Sequence, residues 1–379
     1  MNRTRRIILI IVGVVAFLLI LIWPMAPLWE KLGAEPVCIG GEWPNLKLTD
    51  CPSREVAVTS VPLPEPGADG PIPLIVDDDG SPDGSIALLY FLRNPLFDVR
   101  AVTVSYGEAH PEKFAPHVAQ ILAAFGRADI PVGYGSDAPL EGANAFPESW
   151  REASDGFWGM TLPQTADATE PVPAAQLIIE TVKKSDQPVT IFVSGSHTNL
   201  AEALRIDPDI TANIRDVFIM GGSVNIPGNI HSDWPELDNE TAEWNIWVDP
   251  LAASEVFSSG LPLHLIPLDA TRQVVWKRSD LPGWKSEDSA ESELAGDLLQ
   301  WMLDNWSRDG VYIWDLVAAV QATDLTACPE KSQALEVVTA PGPEQGRTKI
   351  VDQRPNVSVC LEPDPGFIKS LAASVFQQP

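Results

Sequence analysis

The sequence predicts an α/β fold, a mainly parallel, Rossmann-like open sheet with helices on both faces. Two observations carry this. Short apolar runs bounded by turn residues alternate with longer stretches of helical periodicity, as in strands joined by crossover helices. Several runs also end in polar residues, at 77–79, 194–199, 221–223 and 269–271. Open α/β sheets bind ligands at the carboxyl ends of their strands. Turns need Gly, Ser, Asn and Asp on their own account, so one such edge is a weak signal. Their coincidence is a stronger one.

In order, strands are predicted at residues 74–77, 99–105, 189–193, 217–220 and 264–267. Helices are predicted between them, including 111–125, 174–184 and 199–205. A β-rich tail follows at 334–339, 348–351 and 357–361, before a closing helix around 365–376. Neither an internal repeat nor a coiled-coil heptad competes with this reading.

With 379 residues the chain has room for one large α/β domain or two modest ones. Its 25 basic and 52 acidic residues give a net charge of −27. Such a surface repels nucleic acid polymers and anionic headgroups, so the expected partner is a small molecule. The charge is spread without long blocks, which suits solubility and leaves homo-oligomerisation open.

Arg3, Arg5 and Arg6 precede an uninterrupted apolar run, residues 7–23, closed by Pro24. The run approaches membrane-spanning length and no small-x-small cleavage site follows it. Residues 1–30 are therefore expected to be an N-terminal membrane-anchor helix, with the rest of the chain extracytoplasmic. Secretion after signal cleavage is the alternative. Residues 31–73 form a Cys-bearing segment and a stiff Pro-rich linker, and residues 74–379 the main domain. The cysteines lack metal-type spacing. Two local disulfides, Cys38–Cys51 and Cys328–Cys360, suit an oxidising compartment, although sequence does not fix the pairing.

The densest chemistry lies at 77–84, where an apolar run stops at Asp77, Asp78 and Asp79. A Gly80-Ser81-Pro82 turn and Asp83 follow, then a helix-like segment. Strand periodicity puts Asp77 and Asp79 on one face and Asp78 on the other. Crowded carboxylates repel one another unless a cation or a hydroxyl-rich ligand sits among them. An acidic surface turn, with Asp83 as a helix N-cap, would use the same residues.

The chain resembles the inosine-uridine-preferring nucleoside hydrolase family from about residue 74 to residue 376. The family opens with Asp-x-Asp-Pro-Gly-x-Asp-Asp, and Asp77 to Gly84 stand in that place. The resemblance implies that Asp79 touches a calcium ion and deprotonates the attacking water, and that Asp83 holds ribose hydroxyls. The family's last Asp, a calcium ligand, is Gly84 here. Gly195-Ser196-His197-Thr198-Asn199 is similar to Gly-x-x-Thr-Asn, whose Thr gives calcium a backbone carbonyl. Met220-Gly221-Gly222 and Gly228-Asn229 follow in family order. Ala242-Glu243-Trp244-Asn245 resembles Ala-Glu-Phe-Asn, whose Glu and Asn grip the ribose. Trp314-Asp315 stands where the family has His-Asp, with Asp315 as a calcium ligand.

The implied function is hydrolysis of a riboside by calcium-assisted water attack, through a sugar of oxocarbenium character. Trp314 cannot act as the acid that a His supplies. Stacking on Trp314, with Trp158 and Trp244 as further candidates, favours a purine-type base, although buried Trp residues often serve only as core. His197 and His231 are read as solvated loop residues. Glu108 replaces the Asn that often follows Gly107. With Gly84 a ligand short, either calcium binds more weakly, or Glu108 or another carboxylate compensates, or the site has changed its job; weak binding is the expectation, and Gly84→Asp is expected to strengthen it. A degenerate riboside-binding protein is the alternative. A phosphatase of the haloacid dehalogenase type, suggested by Asp77-Asp78-Asp79-Gly80-Ser81, leaves Thr198, Glu243, Asn245 and Asp315 unexplained.

Overall fold

The computed structural model describes residues 61–162, 165, 168–285 and 289–378. Ahead of them, Val37–Gly40 and Lys47–Asp50 form an antiparallel pair. The predicted anchor at 7–23 and the Cys38–Cys51 pairing lie outside the described residues. Among the described residues no helix is long and apolar enough to cross a membrane.

Nine strands form the central sheet: β1 (Ile72–Asp78), β2 (Phe97–Val104), β3 (Val132–Tyr134), β4 (Val172–Pro173), β5 (Val189–Val193), β6 (Ile214–Met220), β7 (Leu263–Ile266), β8 (Glu330–Gln333) and β9 (Val357–Cys360). Their order is β8-β9-β7-β6-β5-β1-β2-β3-β4, and every pairing is parallel except β8 with β9. The chain leaves β1 toward one edge and returns at β5 to build toward the other. Strand order therefore reverses between β1 and β5, the place where such sheets open a crevice.

The flanking helices are α1 (Pro82–Arg93), α2 (Pro111–Ala124), α3 (Glu148–Asp155), α4 (Ala174–Lys184), α5 (Thr198–Ile206), α6 (Trp244–Val248), α7 (Pro250–Ser258), α8 (Ala290–Asn305), α9 (Trp314–Thr323) and α10 (Pro365–Phe376). Period-two alternation in β1 feeds two cores. Leu74 and Val76 join the core built with α1, α2, α8, α9 and α10. Ile75 joins the one built with α4, α5 and α7. Burial on both faces explains the continuous apolar runs that marked the strands.

The five predicted strands are present. Three others escape sequence patterning and two predicted tail strands belong elsewhere, each for a physical reason. β3 and β4 are too short to show a period. β8 is a polar edge strand, Glu-Lys-Ser-Gln, which discourages pairing with other chains. Leu335–Val337 and Thr348–Ile350, predicted as tail strands, pair only with each other. The predicted Cys328–Cys360 disulfide is formed and ties the entry of β8 to the end of β9.

His264 of β7 secures this edge. Its Nδ1 lies 2.8 Å from Glu330 Oε2 and its Nε2 3.2 Å from Asp216 Oδ1, while its ring stacks on Phe218. Burial disfavours the charged ring, but the two carboxylates outweigh it and push the pKa up from 6.5 to about 9. A raised folded-state value means stability that is complete below 6.5 and is lost as pH rises through about 9. Melting curves across that window should show a loss on the order of 2 kcal/mol, absent in His264→Gln. An equal loss in the variant would dissociate the edge from His264.

Candidate active site

The carboxyl ends of β1, β5 and β6 and the N-termini of α6 and α9 surround a cleft of about 750 Å³. Asp79, Asp83, Glu108, Ser194, Asn229, Glu243, Asn245, Trp314 and Asp315 all line it. The volume is that of an ordinary small-molecule site.

Two short-range devices aim the acidic wall. Ser81 caps α1, accepting the Gly84 N–H at 2.8 Å, and its hydroxyl donates to Asp315 Oδ2 at 3.1 Å. Asp83 Oδ2 accepts the Asp315 N–H at 3.3 Å, so the first turns of α1 and α9 hold each other. Asp79 is gripped from behind. Glu108 N–H donates to its Oδ2 at 3.1 Å, and Gly107 and Gly195 lie so close that a Cβ would fall 2.2 Å and 2.5 Å from Asp79 atoms. These two glycines are required by close approach.

The opposite wall is built by β6 and α6. Glu243 caps α6 through the Asn245 and Ile246 N–H groups and also accepts Gly222 N–H at 2.8 Å. Asn245 Nδ2 donates to the carbonyls of Ser194 and Met220, at 3.1 and 3.2 Å. Asn229 Oδ1 accepts the Trp244 N–H at 3.2 Å. Aromatic rings fill the remaining walls. Phe146 stacks on Trp244 with centroids 4.8 Å apart, and Trp314 packs beside Tyr312 at 5.8 Å.

Burial dominates the electrostatics. It pushes Asp79 well above the carboxylate range, reinforced by the charges of Asp78 and Glu108. Asp315 is raised likewise by burial and then by Asp83, Asp78 and Asp79. Burial lifts Asp83 to about 6 and Glu243 to about 7, against their backbone hydrogen bonds.

A cleft at the switch point, with carboxylates on one side and aromatic rings on another, suits a polyhydroxylated sugar bearing a flat base. The sequence profile of the inosine-uridine preferring nucleoside hydrolases matches residues 74–369. The chain belongs to that family. It is 31% identical over 315 residues to the pyrimidine-specific ribonucleoside hydrolase RihA of Salmonella arizonae, covering 79% of this chain and 97% of that enzyme. Among solved structures, a plant nucleoside hydrolase, the PpNRh1 enzyme, superposes with a TM-score of 0.71 at 25% identity, over 82% of this chain and all of that one. The inosine-uridine preferring nucleoside hydrolase of Bacillus anthracis gives 0.67 at 25% identity, covering 81% of this chain and 99% of the other. N-ribosyl hydrolysis is the family's reaction.

Of the site residues the resemblance implies for this nucleoside hydrolase, only Thr198 is absent from the cleft lining; Asp77 and Asp78 of the acidic run lie behind Asp79 and do not line it either. The Thr198 hydroxyl donates to Asp249 at 2.7 Å, and Thr198 opens α5. His197 is not solvated. It is fully buried against Phe257 with neither ring nitrogen hydrogen-bonded, and burial lowers its pKa to about 3. Neither His197 nor His231 lines the cleft, whereas Trp158 and Trp244 both do. Sequence reading missed Trp150, Asp233, Arg272, Trp306 and Tyr312, which reach the cleft from loops and short elements without periodicity.

Asp78 requires a correction. Strand phase turned it away from its neighbours, yet an ideal Cβ on Gly84 would lie 1.6 Å from Asp78 Oδ1 and 2.4 Å from its Cγ. The reason is local. β1 ends at Asp78, the chain turns at Gly80 with φ +86°, and Gly80 N–H binds Asp78 Oδ2 at 2.8 Å. That turn folds the carboxylate toward the start of α1. Gly84→Asp in the native background therefore meets a carboxylate already there and is not expected to strengthen calcium binding.

Does this donor set suit calcium? Among the described residues, no group of three or more Asp, Glu, His or Cys is arranged to hold a metal ion. The chemistry does fit a hard cation. Asp78, Asp79, Asp83 and Asp315 are each at most 6% exposed. None of them pairs with a basic side chain among the described residues. Buried like charges of this kind are stabilised by a divalent ion with oxygen ligands.

Proposed function

We propose that this nucleoside hydrolase cleaves ribonucleosides, with a purine-type base favoured, by calcium-assisted attack of water. The single observation that carries the reading is the shared cleft of Asp79, Asp83, Glu243, Asn245 and Asp315. Asp79 takes a proton from water as the water oxygen bonds to C1′. The C1′–N bond breaks and its electron pair leaves with the base. Asp83, Asn229, Glu243 and Asn245 hold the ribose hydroxyls, and their charge favours the oxocarbenium-like sugar. Without the ion, burial and the charges of Asp78 and Glu108 hold the Asp79 carboxyl above the ordinary carboxylate range.

Asp79 and Asp315, with the backbone of Thr198, would hold the calcium ion. When bound it supplies a hold on the ribose diol and a more acidic water. No His lines the cleft, so protonation of the departing base falls to solvent or to Asp233, whose carboxyl burial raises. Stacking on Trp314 and Trp244 holds a bicyclic base over more area than a monocyclic one, which supports the purine preference. The Salmonella arizonae relative named above is pyrimidine-specific, so the test below sets purine against pyrimidine ribosides. The Arg-rich start and apolar run at 7–23 support an anchored, extracytoplasmic enzyme.

Base release from inosine, adenosine, uridine and cytidine, with and without EDTA, tests the reading. Release should be fastest from the purine ribosides and fall at least about tenfold with chelator. Release from none of the four would favour a riboside-binding role. Faster uridine than inosine cleavage would overturn the purine preference alone.

A further inference from the structure

We propose that Asp78 is a cation-binding carboxylate of this site, standing in for the one missing at position 84. The proposal rests on the calcium reading above and adds a residue to it. The family motif has an unspecified residue at position 78 and Asp at 84, whereas this chain has Asp and Gly. The two exchanges are coupled in space. Asp78 Oδ1, Cγ and Oδ2 lie 1.6, 2.4 and 2.8 Å from where a Cβ on residue 84 would be. A side chain at 84 and the carboxylate of Asp78 cannot coexist in these positions. The carboxylate has moved from the first turn of α1 to the end of β1, and the charge of the cluster is conserved.

The bonding of Asp78 leaves it free to bind an ion. Each of its oxygens accepts one neutral donor, Gly80 N–H at 2.8 Å and Ser194 Oγ at 3.0 Å. A carboxylate oxygen has a further lone pair beyond each of these. The side chain is 6% exposed and has no basic partner among the described residues, so its charge is uncompensated by protein. Its charge acts on Asp79, Glu108 and Asp315, which places it in the same electrostatic cluster. Glu108 is the less suitable substitute, because the three heavy atoms nearest a Cβ at 84 all belong to Asp78.

Three variants of the full chain test this with calcium alone as the probe. Asp78→Asn keeps the fold: its amide oxygen accepts from Gly80, and its NH2 donates to Ser194 Oγ, which turns to accept. Calorimetry should show calcium binding weakened about tenfold or more. In EDTA, Asp78→Asn should melt higher than wild type, because one of several repelling carboxylates is gone. In calcium it should melt lower. A residue with only a structural role would not give that crossover.

Gly84→Asp alone should bind calcium no better than wild type and be less stable. Asp78→Ser/Gly84→Asp should regain binding to within about threefold of wild type, since it restores the family arrangement. Wild-type calcium affinity in Asp78→Asn, or a double variant no better than Asp78→Asn, would overturn the role of Asp78. Calcium-dependent base release alongside either result would leave the calcium reading standing. Base release by wild type that is indifferent to EDTA would sink that reading, and the proposal with it.

Discussion

Asp79→Asn is expected to slow base release about a thousandfold while leaving riboside binding within a few-fold of wild type. The amide preserves shape. Its oxygen still accepts the Glu108 N–H, and Gly107 and Gly195 still press against it. What it lacks is a lone pair basic enough to take the water's proton. The loss corresponds to about 4 kcal/mol of transition-state stabilisation. It should appear in kcat far more than in KM, because the proton moves only as the bond to C1′ forms. Stability offers an independent reading. Asp79 is buried beside Asp78 and Glu108, whose charges oppose its ionisation. Removing its charge should therefore raise the melting temperature in EDTA. Wild-type turnover by Asp79→Asn would show that another group accepts the proton.

The parts of this site that were legible in the sequence share one property: their side chains follow local rules. Asp83 and Asp315 sit in first turns of helices, and Glu243 is an N-cap, positions that sequence patterns mark. The order of these motifs along the chain is what carries the family resemblance. Asp78 failed because strand phase was extended one residue too far. At the last residue of β1 the turn at Gly80 governs, and phase no longer does. Its role is visible only beside Gly84, across a turn, and no one-dimensional pattern joins them. Three further wall aromatics carry no sequence signal, for a different reason. Trp150, Trp306 and Tyr312 come from α3, a loop after α8 and a two-residue strand, and only the fold brings them to one cleft. The polar edge strand β8 carries no hydrophobic signal, because one of its sides has no sheet neighbour to bury against.

Gly195→Ala tests whether the position of Asp79, and not only its identity, limits the enzyme. A Cβ on residue 195 would stand 2.5 Å from Asp79 Cβ, 2.5 Å from Ser105 Oγ and 2.9 Å from the Asp79 backbone nitrogen. Only Ser105 Oγ is the end of a side chain that a rotation could move, and it is buried and donates to the Asp78 carbonyl at 3.4 Å. Asp79 Cβ and N are fixed by β1, whose last residue carries the Ser105 N–H on its carbonyl at 2.7 Å. The strain must therefore move the 194–198 loop, the end of β1, or both. Overpacking of this kind costs about 1–3 kcal/mol of stability. A displacement of about 1 Å in a catalytic group costs on the order of a hundredfold in rate. Gly195→Ala should thus lower the denaturation midpoint and depress kcat together, and it should do so at the temperature where the variant remains folded. Gly67→Ala is the matched control, since a Cβ there meets nothing within 4 Å. That control should stay within about 0.5 kcal/mol of wild type. If Gly195→Ala matched it in both stability and turnover, close approach at Asp79 would not be what holds the base in place.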